Sequence, residues 1–283
     1  MNETVSNFHY GAVTPIAAYL MACLGAALGL RCTTRSMLRH GPGSRRAGWL
    51  TLGAVSIGCG IWTMHFIAMM GFTIEGSLMT YDPAITMLSL GVAILVVAVG
   101  VFLVGYRGSS PATLGIAGVF TGLGVAAMHY LGMSAMSGHG SIDYDPVYVA
   151  LSVVIAVVAA TAALWAAVSI HGLGSAVGAS AIMGIAVTGM HYTGMTAITV
   201  HVSDVAANNQ SSVSLLSFLL AMIAGPLTIL IIVSVIVMFD PEVVLGDNRW
   251  NNSDPQQRRT GDAPTPAHAS AADPNHARPP RGW

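Results

Sequence analysis

Seven long apolar runs divide this chain, and the polar stretches between them are short. They lie at Val13–Leu30, Ala47–Gly71, Ala84–Tyr106, Ala112–Met136, Val147–Ile170, Ala176–Val200 and Val213–Phe239. A helix needs about 20 apolar residues to cross the hydrocarbon core of a bilayer, so each run predicts a membrane-spanning helix. Gly53, Gly58 and Gly60 interrupt the second run without adding charge. Pro226 inside the seventh predicts a kink, because its ring removes one backbone hydrogen bond. Residues 241–283 are different material, rich in Pro, Ala, Asn and Arg and without an apolar period, and are expected to be a disordered tail. The expected organisation is a seven-helix domain at 5–240 followed by that tail, with no catalytic domain attached.

The polar minority orients the bundle. Only 8% of residues are charged, against about 25% in an average soluble domain. All eleven basic residues are arginine. Arg31, Arg35, Arg39, Arg45 and Arg46 follow the first run, Arg107 the third, and Arg249, Arg258, Arg259, Arg278 and Arg281 the seventh. Alternating spans put every one of them on the same side, which the positive-inside rule makes cytoplasmic. The opposite side carries only acids: Glu3, Glu75, Asp82, Asp143, Asp145 and Asp204. The N-terminus is therefore expected outside and the C-terminus inside. A net charge of -1 suggests no nucleic-acid partner. Cys23, Cys32 and Cys59 form no CxxC pair, so neither a disulfide framework nor c-type haem attachment is readable.

A repeat lies beneath the runs. "YDPAITMLSLGVAIL" opens the third run and "YDPVYVALSVVIAVV" the fifth, while "HYGAVTPIAAYLMA" is a weaker version at the first. The second, fourth and sixth runs each carry a Met-His element: "TMHFIAM" at 63–69, "AMHYLGM" at 127–133 and "GMHYTGM" at 189–195. A period of about 63 residues predicts three parallel two-helix repeats plus a lone seventh helix. Such repeats are related by an axis along the membrane normal, so the three elements should share one depth near the outer face.

Within each element the second Met follows His by four residues, which places the two on one helix face. The candidate ligands are Met64, His65, Met69, Met128, His129, Met133, Met190, His191 and Met195. Soft thioether combined with imidazole points to copper first, and haem iron or another transition metal second. Packing is the competing reading, since Met is a common gap-filler. An ionisable ring inside a membrane span nevertheless reads as functional by default. The spacing leaves open whether the motifs build one site or several. The outer acids, His139 and His201 could gather cations, but Asp-Pro before a helix is an ordinary start signal. Gly25–Gly29, Gly118–Gly122 and Gly174–Gly178 read as packing faces.

The elements "MHF", "MHYL" and "MHYT" resemble the MHYT domain, a bacterial integral membrane sensor domain, over about residues 5–240. The resemblance implies a seven-helix fold in the bacterial plasma membrane with its N-terminus outside. It also implies metal binding, copper above all, through the Met and His residues, and sensing of a diatomic gas such as O2, CO or NO. Only the third copy reads Met190-His191-Tyr192-Thr193 in full; Leu131 replaces Thr in the second, and Phe66 and Ile67 replace Tyr and Thr in the first. Many such domains are fused to enzymes of cyclic-di-GMP metabolism or to a kinase. Without one, this chain would signal through a separate cytoplasmic or membrane output protein. Copper transport or handling is the alternative function. A membrane redox enzyme ranks last, because no second redox centre is visible.

Overall fold

The computed structural model describes residues 11–37, 45–71, 80–137, 140–170, 172–202 and 212–239. Seven helices follow the seven runs: α1 (Val13–Met37), α2 (Arg46–Met70), α3 (Pro83–Arg107), α4 (Pro111–Ser134), α5 (Pro146–Ser169), α6 (Leu173–Thr196) and α7 (Ser212–Met238). Among the described residues, α1 to α5 and the Ser217–Met238 part of α7 are long and apolar enough to cross a membrane. The expected tail at 241–283 lies outside the described residues, as do Glu3, Glu75, His139 and Asp204.

Local chemistry explains the helix ends. The Asp82 carboxylate accepts from the backbone N–H of Ala84 and Ile85 at 2.8 and 3.0 Å. Asp145 accepts from Val147 N–H at 2.8 Å, and the Ser110 hydroxyl from Thr113 N–H at 3.2 Å. Each cap precedes a proline at the first helical position, where a missing N–H costs nothing. The two loop aspartates thus begin helices, as the ordinary reading of Asp-Pro expects. α1 continues past Leu30, where the apolar run was expected to end. Its polar residues bond back to the helix, Thr33 Oγ1 to Gly29 carbonyl at 2.9 Å and Ser36 Oγ to Thr33 carbonyl at 2.7 Å. α7 continues through Pro226.

The first six helices form a ring in chain order. Each packs on the next, and α6 returns to α1. α7 leans on α2 and α1 from outside, matching the expected lone helix. Glycines set the closest approaches. A Cβ on Gly25 of α1 would lie 2.6 Å from Gly60 Cα of α2, so these two backbones touch. Gly122 of α4 lies against the Val157 backbone of α5, leaving no space for a methyl group. The expected face at Gly174–Gly178 is not one: a Cβ at either position meets nothing within 4 Å. The two glycines point away from the neighbouring helices, and this start of α6 is buried through Ala176 and Ser180 instead.

Short strands tie the loops together at one end. β1 (Thr80–Tyr81) pairs antiparallel with β2 (Met136–Ser137), and β3 (Gly140–Tyr144) with β4 (Ile198–Val202). The joint is built the same way twice, with Asp82 N–H donating to Ala135 carbonyl at 2.9 Å and Asp145 N–H to Ala197 carbonyl at 2.8 Å. β4 takes Ile198–Val202, residues the apolar pattern assigns largely to the sixth span. Tyr81, Met136 and Ile198 are buried in this layer. Burial pushes the Tyr81 phenol well above its ordinary pKa, so it stays neutral.

Candidate metal centre

His65, His129 and His191 stand at matched positions in α2, α4 and α6, each about 7 Å of helix before the last residue. Because the three helices also turn the same face inward, the three side chains converge on one point. The Nδ1 atoms form a triangle with edges of 3.0 Å (His65–His191), 3.2 Å (His65–His129) and 3.3 Å (His129–His191). The rings stand nearly perpendicular to one another at 80° to 87°, with centroids 4.9 to 5.0 Å apart. Each ring is 1% exposed. Among the described residues this is the cluster of His, Cys, Asp and Glu able to hold a metal ion. The spacing of the motifs leaves one site or several open; the histidines make one.

Each His is braced by the aromatic residue that follows it. Phe66, Tyr130 and Tyr192 meet their histidines edge to face, with centroids 4.8, 4.9 and 5.1 Å apart. Tyr130 is itself fixed by a hydrogen bond between its hydroxyl and Ser152 Oγ at 2.7 Å. The first copy has Phe66 in place of tyrosine, and Trp62 one turn earlier takes over the anchoring. Its Nε1–H donates to Ser89 Oγ at 2.9 Å. Ser89 and Ser152 occupy the same position relative to the capping Asp82 and Asp145. The anchor to the following helix is thereby kept although the residue supplying it moves.

The outward nitrogens expose a feature that the Met-His pattern obscures. Nε2 of His65 and of His129 is buried without a hydrogen-bond partner. His65 Nε2 faces Gly132 of α4, where a Cβ would come within 2.5 Å, and His129 Nε2 faces Gly194 of α6 with no room for one. Both glycines stand three residues after the His of their own helix, and Ala68 holds that position in α2. A small residue at this place in all three elements was the available signal. At Gly132 and Gly194 its role is to let the neighbouring repeat's imidazole seat.

The methionines of the three elements are packed on the same helices. Met64, Met69, Met128, Met133 and Met190 are at most 1% exposed, and Met195 is half-buried. Met190 also lines an apolar cavity of about 50 Å³ on the side of the trio away from the strands. The backbone of His201 is in β4, and Asp143 is in β3 outside the histidine cluster.

The trio fits a bare metal ion. Tetrahedral coordination with metal–nitrogen distances of about 2.0–2.1 Å separates neighbouring nitrogens by about 3.3–3.4 Å. The observed edges of 3.0 to 3.3 Å approach that spacing without a large rearrangement. Three nitrogens so close leave no slot for a porphyrin between them. The donor chemistry agrees, since three imidazole nitrogens turned on one point offer lone pairs that one cation can accept together.

Comparison with known proteins agrees with this architecture. A family described as a bacterial signalling protein N-terminal repeat, MHYT, matches three times, at residues 58–117, 122–179 and 184–240. These units begin in α2, α4 and α6, so they pair each His-bearing helix with the helix after it. The expected pairing is α1 with α2, and so on; both divisions keep the same period. The chain is 38% identical over 193 residues to the bifunctional diguanylate cyclase/cyclic di-GMP phosphodiesterase MucR of Pseudomonas aeruginosa, covering 66% of this chain and 28% of that protein. An uncharacterised signalling protein of Caulobacter vibrioides is 39% identical over 165 residues, covering 58% and 20% respectively. The cyclic di-GMP phosphodiesterase NbdA of Pseudomonas aeruginosa is 34% identical over 206 residues, covering 70% and 26%. The chain thus spans about a quarter of the length of these relatives. No solved structure matches it significantly. Three family repeats, each carrying one histidine of a shared centre, show that the chain is a multi-pass membrane protein belonging to the MHYT family of bacterial signalling domains.

Proposed function

We propose that this domain is a membrane signalling sensor whose centre is a copper ion held by His65, His129 and His191 through Nδ1. The observation that carries the reading is the closed triangle of three buried ring nitrogens 3.0 to 3.3 Å apart. Copper is preferred because methionines flank each His in sequence, at Met64, Met69, Met128, Met133, Met190 and Met195, and thioether suits Cu(I). Charge supports the same choice. Among the described residues no carboxylate joins the cluster, and burying one positive charge costs far less than burying two. The close nitrogens favour a bare ion over haem. Bound copper would supply a redox-active centre able to take a diatomic ligand such as O2, CO or NO. The protein's own part is to hold three imidazoles neutral, fix their tautomer and exclude water.

The arginine distribution supports an N-terminus outside and a C-terminus inside. The relatives that make or break cyclic di-GMP support a signalling output of that kind here, delivered through a cytoplasmic or membrane partner in a bacterial plasma membrane. Copper transport is the weaker reading. One and two turns from the trio the His-bearing helices present Ile57, Ile61, Thr121, Val125, Met183 and Val187, which offer a single thioether and no relay of ligands. Elemental analysis of the protein purified in mild detergent tests the proposal, beside His65→Ala, His129→Ala and the triple His→Ala variant. One copper per chain in the parent and none in folded variants is expected. Absence of metal from the parent after reconstitution with Cu(I) would overturn it. Whole-cell copper unchanged by deletion, with an altered second messenger, would separate sensing from transport.

A further inference from the structure

The cavity beneath the trio follows the repeat. Its lining includes Ile61, Val125 and Val187, which stand four residues before His65, His129 and His191. It also includes Ile57, Thr121 and Met183, which stand eight residues before them. Steps of four keep a residue on the face of its histidine. The cavity is therefore bounded by the inward faces of α2, α4 and α6, directly under the centre. Its remaining wall has a sequence cause. Counted from the capping aspartates, Ala159 and Ala160 of α5 hold the positions of Val96 and Val97 in α3. The missing methyl groups leave the space on the α5 side.

The lining decides what can occupy it. Its volume is about 50 Å³, room for more than one water, yet a buried water needs two to four polar partners. The one hydroxyl in the wall, Thr121 Oγ1, already donates to Val96 carbonyl at 3.4 Å. The cavity is thus dry by composition, like the engineered apolar cavities that take xenon. On the strand side each ring of the trio is 1% exposed, so bulk water does not reach the centre. At the cavity rim Ala159 and Ala163 of α5 and Val187 of α6 are half-exposed.

We propose that this axial cavity is a docking chamber for a small uncharged apolar molecule of diatomic size, which enters from the lipid between α5 and α6 and rests one helical turn from the three histidines. The inference deepens the sensor reading by naming the chamber and the route of its ligand. It predicts that lipid-soluble molecules reach the centre and that hydrated ions do not reach it by this path.

Xenon is the probe. Methyl-labelled, metal-free protein in nanodiscs is titrated with xenon, and methyl chemical shifts are recorded. The expected result is saturable shifts at Ile61, Val125 and Val187, several-fold larger than the linear shifts at Ile116 and Ile182. Those last two are 66% and 69% exposed and report lipid alone. The variant Ala159→Val/Ala160→Val, which copies the α3 wall, is expected to abolish the saturable component. Leu164→Ala, which enlarges the space, is expected to increase it. Cavity methyls that respond no more than Ile116, in the parent and in Leu164→Ala alike, would overturn the proposal. Because the titration needs no metal, a saturable response in a protein that binds no copper sustains the chamber while the metal reading falls. Copper binding without that response does the reverse.

Discussion

Adding a single methyl group at Gly132 is expected to displace His65 and loosen the metal centre. A Cβ there would stand 2.5 Å from His65 Nε2, 3.0 Å from Cδ2 and 3.5 Å from Cε1. The nearest atom is the outermost one, so the push runs in the ring plane toward Nδ1. Comfortable contact needs about 3.5 Å, which asks the ring to move by about 1 Å. It has nowhere to go. Its Nδ1 already lies 3.0 Å from His191 and 3.2 Å from His129, and Phe66 braces its edge. Metal ligands tolerate about 0.2 Å of misplacement, so affinity should fall by about 10–100-fold, as for other outer supports of a ligating His. Stability has two opposed terms. Alanine gains about 1 kcal/mol over glycine in a helix, while overpacking a buried site costs about 1–3 kcal/mol. Gly115→Ala isolates the first term, because a Cβ at Gly115 of the same helix meets nothing within 4 Å. Competition for Cu(I) with a chelator, together with thermal unfolding in nanodiscs, compares the two variants. Gly194→Ala against Gly189→Ala repeats the comparison for His129 on α6, where Gly189 is equally open. If Gly132→Ala binds metal and melts like Gly115→Ala, the seat does not constrain the ring and the reasoning fails.

Three further outcomes follow from the same geometry. Asp82→Ala and Asp145→Ala should each cost about 1 kcal/mol through loss of a helix cap and leave copper stoichiometry unchanged; loss of copper would make these acids part of the centre. Tyr130→Phe removes one hydrogen bond to Ser152 of the following helix and should cost about 1 kcal/mol in thermal unfolding, while Trp62→Phe also empties fully buried space and should cost more; an unchanged melting point in Tyr130→Phe would show that the bond is no anchor. His129→Leu should be neutral or stabilising in metal-free protein, since it deletes a buried Nε2 without a partner, but should fall below the parent by about 2.7 kcal/mol at copper 100-fold over Kd. A variant that is destabilised equally with and without copper would point to packing alone.

Much of the fold is legible because membrane helices announce themselves by length, and because Asp82-Pro83 and Asp145-Pro146 mark helix starts twice over. The matched depth of His65, His129 and His191 follows from the repeat period. Their meeting at one point does not, because spacing fixes height along an axis but not rotation about it. Helix ends are less readable. α1 outruns its apolar stretch since Thr33 and Ser36 satisfy themselves on the helix backbone, and the sixth run is cut short because Ile198–Val202 pairs with β3 instead. Small residues mislead in both directions. Gly174 and Gly178 have the spacing of a packing face and meet nothing, whereas Gly132 and Gly194 lack that spacing and let a neighbouring helix's histidine seat against them. Spacing counts residues on one helix, while the contact depends on which partner arrives.

The donor count of the trio favours a ligand over packing. Three imidazole nitrogens close on one triangle, and each carries either a proton or a lone pair. With one proton among them, two lone pairs face each other; with two, both protons compete for one acceptor; with three, all repel. No arrangement turns every edge of 3.0 to 3.3 Å into a hydrogen bond. Moving the protons outward relieves the centre only by placing N–H groups at Nε2, where His65 and His129 meet glycines and no acceptor. Leaving buried polar groups unmet costs about 1–3 kcal/mol each, and aliphatic side chains would fill the same space without that cost. A cation at the centre removes the conflict among the Nδ1 atoms. It accepts all three lone pairs and fixes one tautomer for every ring, and its coordinate bonds offset the outward Nε2–H groups of His65 and His129, which still meet no acceptor.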